Sequence, residues 1–232
     1  MKDISFSIIV AIDLKNGIAL NHEIPFYFKD DVANFRKMTL HQVVIMGRKT
    51  WESLPKPPLP FRTNIILSNT LKLMIPLFDV EIVRDWEELI QLLQQKYANK
   101  KKYIIGGESL YKQMINNPLC SELIITRINE DYHCDQFFPD FSAWNLNQIL
   151  LKTKDFQIEI YSHKEHTNKK EIKPLIIIDL QKQKEIEIYS QKMEELQKQK
   201  EELMKLVKLK DEEWIKLKAL RSAVKFNELL KK

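Results

Sequence analysis

Short apolar runs alternate with stretches of helical period over the first three quarters of the chain. The runs at residues 5–12, 42–46, 64–67, 103–105 and 123–126 are nearly continuous in Ile, Val, Leu, Met and Tyr. Strands buried on both faces have this composition. Between them, residues 29–38, 86–97 and 108–115 repeat their apolar positions three and four apart, which predicts helices. The alternation predicts an α/β architecture, a mainly parallel sheet covered on both faces. Two later strand candidates, 157–161 and 174–180, follow one another with no helix between them. They predict an antiparallel hairpin that closes the sheet.

The texture changes near residue 181. All 4 Gly and all 9 Pro lie before residue 175, so nothing beyond it breaks a helix. Ile186, Tyr189, Met193, Leu196, Leu203, Val207, Trp214, Leu217 and Val224 fall on one alternating three–four register, interrupted by Lys200, Lys210 and Arg221. This predicts a long C-terminal amphipathic helix with coiled-coil character. Two regions follow: a folded domain at 1–180 and a charged helical tail at 181–232.

Charge sharpens that division. The net charge is +5, and the tail alone holds 14 Lys/Arg against 10 Asp/Glu, leaving the body almost neutral. A neutral body lacks the concentrated basic face of a nucleic-acid platform, and the tail's mixed signs suit a solvated helix better than a phosphate-binding arm. No run of 18 apolar residues appears, so no membrane span is expected. The first residues, Met1 to Asp13, do not read as a signal peptide. Cys120 and Cys134 match no zinc spacing, and two unpaired thiols in a reducing, cytoplasmic setting are the simplest expectation, an organellar address remaining open.

Candidate chemistry sits where strands hand over to helices. Gly106-Gly107 follows an apolar run and precedes a helical stretch, so backbone N–H groups there would approach a phosphate; a tight turn is the alternative. The full GxGxxG pattern is absent. Gly47-Arg48-Lys49-Thr50-Trp51 offers two cations and a hydroxyl at another helix start, an anion cradle or a solvated cap. Asp31 borders the apolar face of its helix, next to Val32 and four before Phe35. A carboxylate held there would have a raised pKa and would bind a flat, amidine-like heterocycle, whereas a first-turn carboxylate would simply complement the helix dipole. Arg62 follows the stiff Pro57-Pro58-Leu59-Pro60, which suits bidentate capture of a carboxylate or leaves an ordinary surface arginine. The five His are scattered at no metal-binding spacing, and no Ser/His/Asp or Cys/His arrangement stands out, so no metal is expected.

In order, these pieces resemble the dihydrofolate reductase family over roughly residues 4–180. The resemblance rests on Ile9-Val10-Ala11, Asn16-Gly17-Ile18 leading into Ile24-Pro25, Asp31 with Phe35, and the specific run Val44-Ile45-Met46-Gly47-Arg48-Lys49-Thr50-Trp51-Glu52-Ser53-Leu54. Leu59-Pro60-Phe61-Arg62 with Asn64-Ile65-Ile66-Leu67-Ser68, Ile105-Gly106-Gly107, Tyr111, Thr126 and Asp135-Gln136-Phe137-Phe138-Pro139 complete it.

That resemblance implies NADPH-dependent reduction of dihydrofolate, with antifolates as inhibitors. Asp31 would bind the pterin's 2-amino and ring N–H groups and assist protonation of N5, supported by Thr126. Ile9, Val10, Val32, Phe35, Leu54, Leu59 and Ile105 would wall the folate pocket, and Arg62 would grip the α-carboxylate of the glutamate tail. For the cofactor, main-chain groups at Ala11 and Ile18 would hold the carboxamide. Gly47, Arg48, Lys49, Thr50, Gly106 and Gly107, with Ser109, Leu110 and Tyr111, would surround the nicotinamide and phosphates. Arg48 with Ser68 and Asn69 would account for a 2′-phosphate preference.

Three positions depart from the family pattern. Ala19 stands for a second glycine, Phe26 for a tryptophan whose indole N–H holds a water near the pterin, and Phe61 for a glycine before Arg62. A helical linker follows the reductase in bifunctional reductase–thymidylate synthases, and residues 181–232 are expected to be too short to hold a synthase. The tail is expected to self-associate or dock on a protein partner, because Trp214, Leu217 and Phe226 would otherwise be wet. A rival reading makes the chain a reductase-derived structural subunit anchored through that tail.

Overall fold

The computed structural model describes residues 4–72 and 79–163, together with the isolated positions Lys198 and Glu202. The chain divides into two units, Met1–Leu175 and Ile176–Lys232. Of the second, the two described residues are helical and exposed. Neither is a seam position: the seam and the strand candidate at 174–180 lie outside the described residues.

The first unit alternates strands and helices. Its elements are β1 (Phe6–Ile12), β2 (Gly17–Ala19), α1 (Lys29–Thr39), β3 (Val43–Gly47), α2 (Arg48–Ser53), β4 (Thr63–Leu67) and β5 (Val80–Val83). There follow α3 (Trp86–Lys96), β6 (Lys102–Gly106), α4 (Glu108–Met114), β7 (Cys120–Ile128), β8 (Gln136–Phe137), β9 (Trp144–Lys152) and β10 (Phe156–His163). Eight strands form one sheet in the order β5-β4-β3-β6-β1-β7-β10-β9, and β2 pairs with β8. From β5 to β7 every pairing is parallel, whereas β10 runs antiparallel to both β7 and β9. Of the expected hairpin, the strand at 157–161 is present as β10, but its described antiparallel partner is the preceding strand β9, which the apolar pattern does not reveal.

Strand order and handedness decide where the helices go. The steps β1→β3→β4 move one way across the sheet, and the steps β5→β6→β7 move the other way. Right-handed crossovers therefore place α1 and α2 on one face and α3 and α4 on the opposite face. The side chains agree: Ile8, Val10, Ile45, Ile104 and Ile125 pack with Leu89, Leu93, Leu110 and Tyr111 of α3 and α4. The intervening residues turn to the α1 side, as alternation in a strand requires. On that side the buried core is in two pieces, one around Ile9, Phe26 and Ile124 and one around Val44, Met46 and Trp51. Ile105 borders both. The gap between them lies at the carboxyl ends of β1, β6 and β3, where helices depart to opposite faces and open α/β sheets bind ligands.

Candidate active site

Asp31 is in the first turn of α1. Its neighbour Asp30 is exposed, while Asp31 is half-buried and accepts a 2.5 Å hydrogen bond from the Thr126 hydroxyl on β7. Thr126 has the same strand parity as Ile124 and Ile128, which belong to the α1-side core, so its hydroxyl faces α1 and reaches the carboxylate there. Burial raises the Asp31 carboxyl above its usual range, and the Thr126 bond opposes that rise. No cation pairs with Asp31 among the described residues.

Four-residue steps carry the same helix face from Asp31 to Phe35 and on to Thr39. Thr39 is fully buried; its hydroxyl donates to the Phe35 carbonyl at 2.7 Å and accepts from Arg62 Nη1 at 3.0 Å. The Arg62 guanidinium sits 5.6 Å from the centre of the Phe35 ring, and its Nε donates to the Pro60 carbonyl at 3.1 Å. Arg62 is only 6% exposed and has no acidic partner among the described residues. Burial, with repulsion from Arg36 adding to it, lowers its pKa to about 10. This helix face thus carries an acid at one end, a ring in the middle and a buried cation at the other end.

Loops brace both ends. Asn64, fully buried, accepts from the Leu59 backbone N–H at 3.0 Å and donates to the carbonyls of Leu59 and Arg62 at 2.9 and 3.0 Å. It fixes the proline-rich loop that presents Leu59 and Arg62. Asp13, also fully buried, accepts from the N–H groups of Lys15 at 2.8 Å, Gly17 at 2.6 Å and Tyr132 at 3.2 Å. A Cβ at Gly17 would lie 2.4 Å from Cys134 Cβ, so this close approach admits only glycine. Asp13, Thr39 and Asn64 were not singled out from sequence. Thr39 was findable, because it continues the spacing of four from Asp31 through Phe35.

The departures from the family pattern are absorbed by backbone and packing. Ala19 contributes its carbonyl, which accepts from the Asp135 N–H at 3.0 Å. Phe26 is 8% exposed and stands edge-on to Tyr132. Phe61 adopts φ +58°, the left-handed region that a glycine enters without cost, and its carbonyl accepts from the His41 N–H at 2.8 Å.

On the other side of the gap, Gly47 at the end of β3 lies beside Gly106 and Gly107. A Cβ built on Gly47 would be 3.9 Å from the Gly106 carbonyl oxygen and the Gly107 nitrogen. A Cβ on Gly106, where φ is +140°, or on Gly107 would come within 2.9 and 3.0 Å of the Thr50 hydroxyl. At Gly106 and Gly107 only bare backbone fits beside the Thr50 hydroxyl, and main-chain N–H groups with a hydroxyl are a combination suited to an anionic group. Arg48 and Lys49 are exposed beside it. The Ser68 hydroxyl accepts from the Thr70 and Leu71 N–H groups at 3.3 and 3.0 Å, and Asn69 is exposed.

The remaining candidates divide by burial. Ile9, Phe35, Leu54, Leu59, Ile105 and Ala11 border the α1-side core, while Val32 is 42% exposed. Val10, Ile18, Leu110 and Tyr111 are in the core of the other face, where the Tyr111 hydroxyl donates to the Ile9 carbonyl at 3.2 Å and so steadies β1. Ser109 is exposed. Among the described residues no cluster of His, Cys, Asp and Glu could hold a metal ion, and no helix is long and apolar enough to cross a membrane.

The sequence profile of the dihydrofolate reductase family matches residues 5–169. The chain is 37% identical over 153 residues to a dihydrofolate reductase of Mycoplasma genitalium, a match covering 64% of this chain and 91% of that protein. It is 32% identical over 143 residues to the Drosophila melanogaster dihydrofolate reductase, covering 58% and 79%. A bifunctional dihydrofolate reductase–thymidylate synthase of Paramecium tetraurelia is 32% identical over 146 residues, covering 62% of this chain but only 30% of the longer protein. With the matched profile spanning well over half its length, the chain belongs to the dihydrofolate reductase family.

Proposed function

We propose that this chain reduces 7,8-dihydrofolate to 5,6,7,8-tetrahydrofolate using NADPH. The observation that carries the reading is the half-buried Asp31 carboxyl, held by Thr126 and matched along one helix face by the buried Arg62. NADPH, when bound, supplies the hydride that C6 of the pterin receives. Everything else is orientation, charge and exclusion of water by the protein. Asp31 accepts from the pterin's 2-amino group and ring N–H, and its raised pKa lets it hold the proton destined for N5. Thr126 fixes the carboxylate's orientation. Ile9, Val32, Phe35, Leu54, Leu59 and Ile105 keep the bicycle and its benzoyl arm dry, whereas the Val10 side chain packs on the opposite face of the sheet and leaves only its backbone to this side, and Arg62 takes the α-carboxylate. On the cofactor side, backbone at Ala11 and Ile18 holds the carboxamide. Gly47, Lys49, Thr50, Gly106 and Gly107 receive the phosphates, with Ser109, Leu110 and Tyr111 shaping the α4 side. Arg48, Ser68 and Asn69 meet the 2′-phosphate.

The test is loss of reduced-nicotinamide absorbance when the full chain meets NADPH and dihydrofolate, together with a rise in melting temperature on adding methotrexate. A flat trace with no thermal shift overturns the reading and leaves the structural-subunit alternative. For the tail, we propose self-association or docking on a protein partner; light scattering on the full chain and on a chain ending near residue 180 tests it, and an unchanged oligomeric state counts against self-association. A reducing, cytoplasmic location, or an organelle of similar poise, fits the unpaired and buried Cys120 and Cys134. Microscopy of a tagged chain decides between them.

A further inference from the structure

The exposed guanidinium at the start of α2 already has a partner. Arg48 Nη1 donates to both carboxylate oxygens of Glu52 at 2.9 Å, across one turn of the same helix. The two side chains are 42% and 48% exposed, so the pair is solvated and exchangeable. Glu52 thus places a negative charge beside the group expected to meet the cofactor's 2′-phosphate.

We infer that Glu52 is a specificity-determining residue: by occupying Arg48 it weakens binding of the 2′-phosphorylated dinucleotide relative to the unphosphorylated one. This rests on the assignment of Arg48 to the 2′-phosphate made above. The physical argument has two parts. A dianionic phosphate arriving at Arg48 must displace or share a carboxylate already bonded to it. Glu52 also repels that phosphate through solvent, an effect a neutral ribose hydroxyl does not feel. Both act in the same direction, and both need the phosphate. The Nε–Nη2 edge of Arg48 has no partner among the described residues, so a phosphate can approach while the Glu52 pair loosens rather than having to wait for it to break.

The test is direct titration of the full chain with NADPH and with NADH, followed by protein fluorescence, with no turnover required. Glu52→Gln is expected to tighten NADPH binding about two- to fivefold at low salt, to leave NADH binding unchanged, and to lose its effect in concentrated salt. On an Arg48→Gln background the same substitution is expected to keep only the smaller part that comes from direct repulsion. Unchanged or weaker NADPH binding in Glu52→Gln, equal tightening of both nucleotides, or an effect undiminished without Arg48 overturns the inference. The parent assignment fails separately: Arg48→Gln should weaken NADPH alone. If it weakens NADH equally, the 2′-phosphate reading falls and this inference with it; if it is selective while Glu52→Gln is silent, only this inference falls.

Discussion

Replacing Arg62 by methionine isolates a buried cation that has no acidic partner among the described residues. The guanidinium is 6% exposed, and burial with Arg36 nearby lowers its pKa to about 10, more than two units below the ordinary guanidinium range. Holding the charge in place therefore costs the free protein about 3 kcal/mol. A substrate carboxylate docking there recovers most of that cost, about 2–3 kcal/mol, which is roughly a 30- to 150-fold contribution to kcat/KM. Arg62→Met should reduce kcat/KM for dihydrofolate by that factor and act mainly through KM. Dihydropteroate, which keeps the bicycle and benzoyl unit but lacks the glutamate, should be nearly indifferent. The free variant should be no less stable than the parent in urea, because methionine fills the site without a charge to desolvate. An equal loss with both substrates would refute the reasoning, since Arg62 would then be bracing the loop rather than receiving a carboxylate.

Three further outcomes follow from the same geometry. Asp31→Asn should lose most turnover yet melt a few degrees higher at neutral pH. A carboxyl whose folded pKa lies above its ordinary 3.8 favours folding below that value, and the advantage is lost as pH rises through the raised pKa, so the variant's thermal gain should vanish in acid; a gain that persists there counts against the linkage. Thr126→Val removes the hydrogen bond that favours the ionised carboxylate, so the Asp31 pKa should rise further and the high-pH limb of kcat/KM should move upward; a limb that stays put assigns the proton elsewhere. Gly17→Ala places a Cβ 2.4 Å from Cys134 Cβ and 2.8 Å from Asp13 Oδ2, and should cost about 1–3 kcal/mol in denaturant melts. Adding Cys134→Gly should restore part of it, and strict additivity of the two would deny the contact.

The buried strands were legible because both of their faces are covered and their apolar runs are unbroken. Residues 5–12 and 64–67 announce β1 and β4 to within one residue of each observed end. β9 was missed for a physical reason. It is an edge strand whose pairing with β10 shifts register twice, between Ile158 and Glu159 and between Ile160 and Tyr161, so its side chains never settle into simple alternation. Leu146 and Ile149 end up exposed on it. β5 is a four-residue edge strand, too short for a periodic signal. At the site, Asp31 and Thr126 stand 95 positions apart, and only the parallel β1–β7 pairing, which sets Ala11 opposite Thr126, brings that hydroxyl to the α1 side. Spacing alone says nothing about such a contact. Asn64 was hidden differently: a lone amide in an apolar run reads as a strand end, and its bonds to Leu59 and Arg62 become visible only when the loop closes on it.

One helix face then explains what kind of molecule the gap selects. Asp31 and the Thr39 hydroxyl that anchors Arg62 are eight residues apart on α1, about 12 Å along its axis. A carboxyl whose pKa is raised by burial and a guanidinium whose pKa is lowered by burial each weaken the fold, and neither is neutralised by the other at that separation. With the Phe35 ring between them, the complementary ligand has hydrogen-bond donors at its head, a flat apolar middle and an anionic end. A compound with only the head reaches Asp31 and should bind equally well to the parent and to Arg62→Met. A compound with head and tail gains from both charges, and its advantage over the truncated compound should disappear in that variant. The difference between the two ligands, measured on two proteins, separates recognition by the pocket from recognition by the charge at its far end.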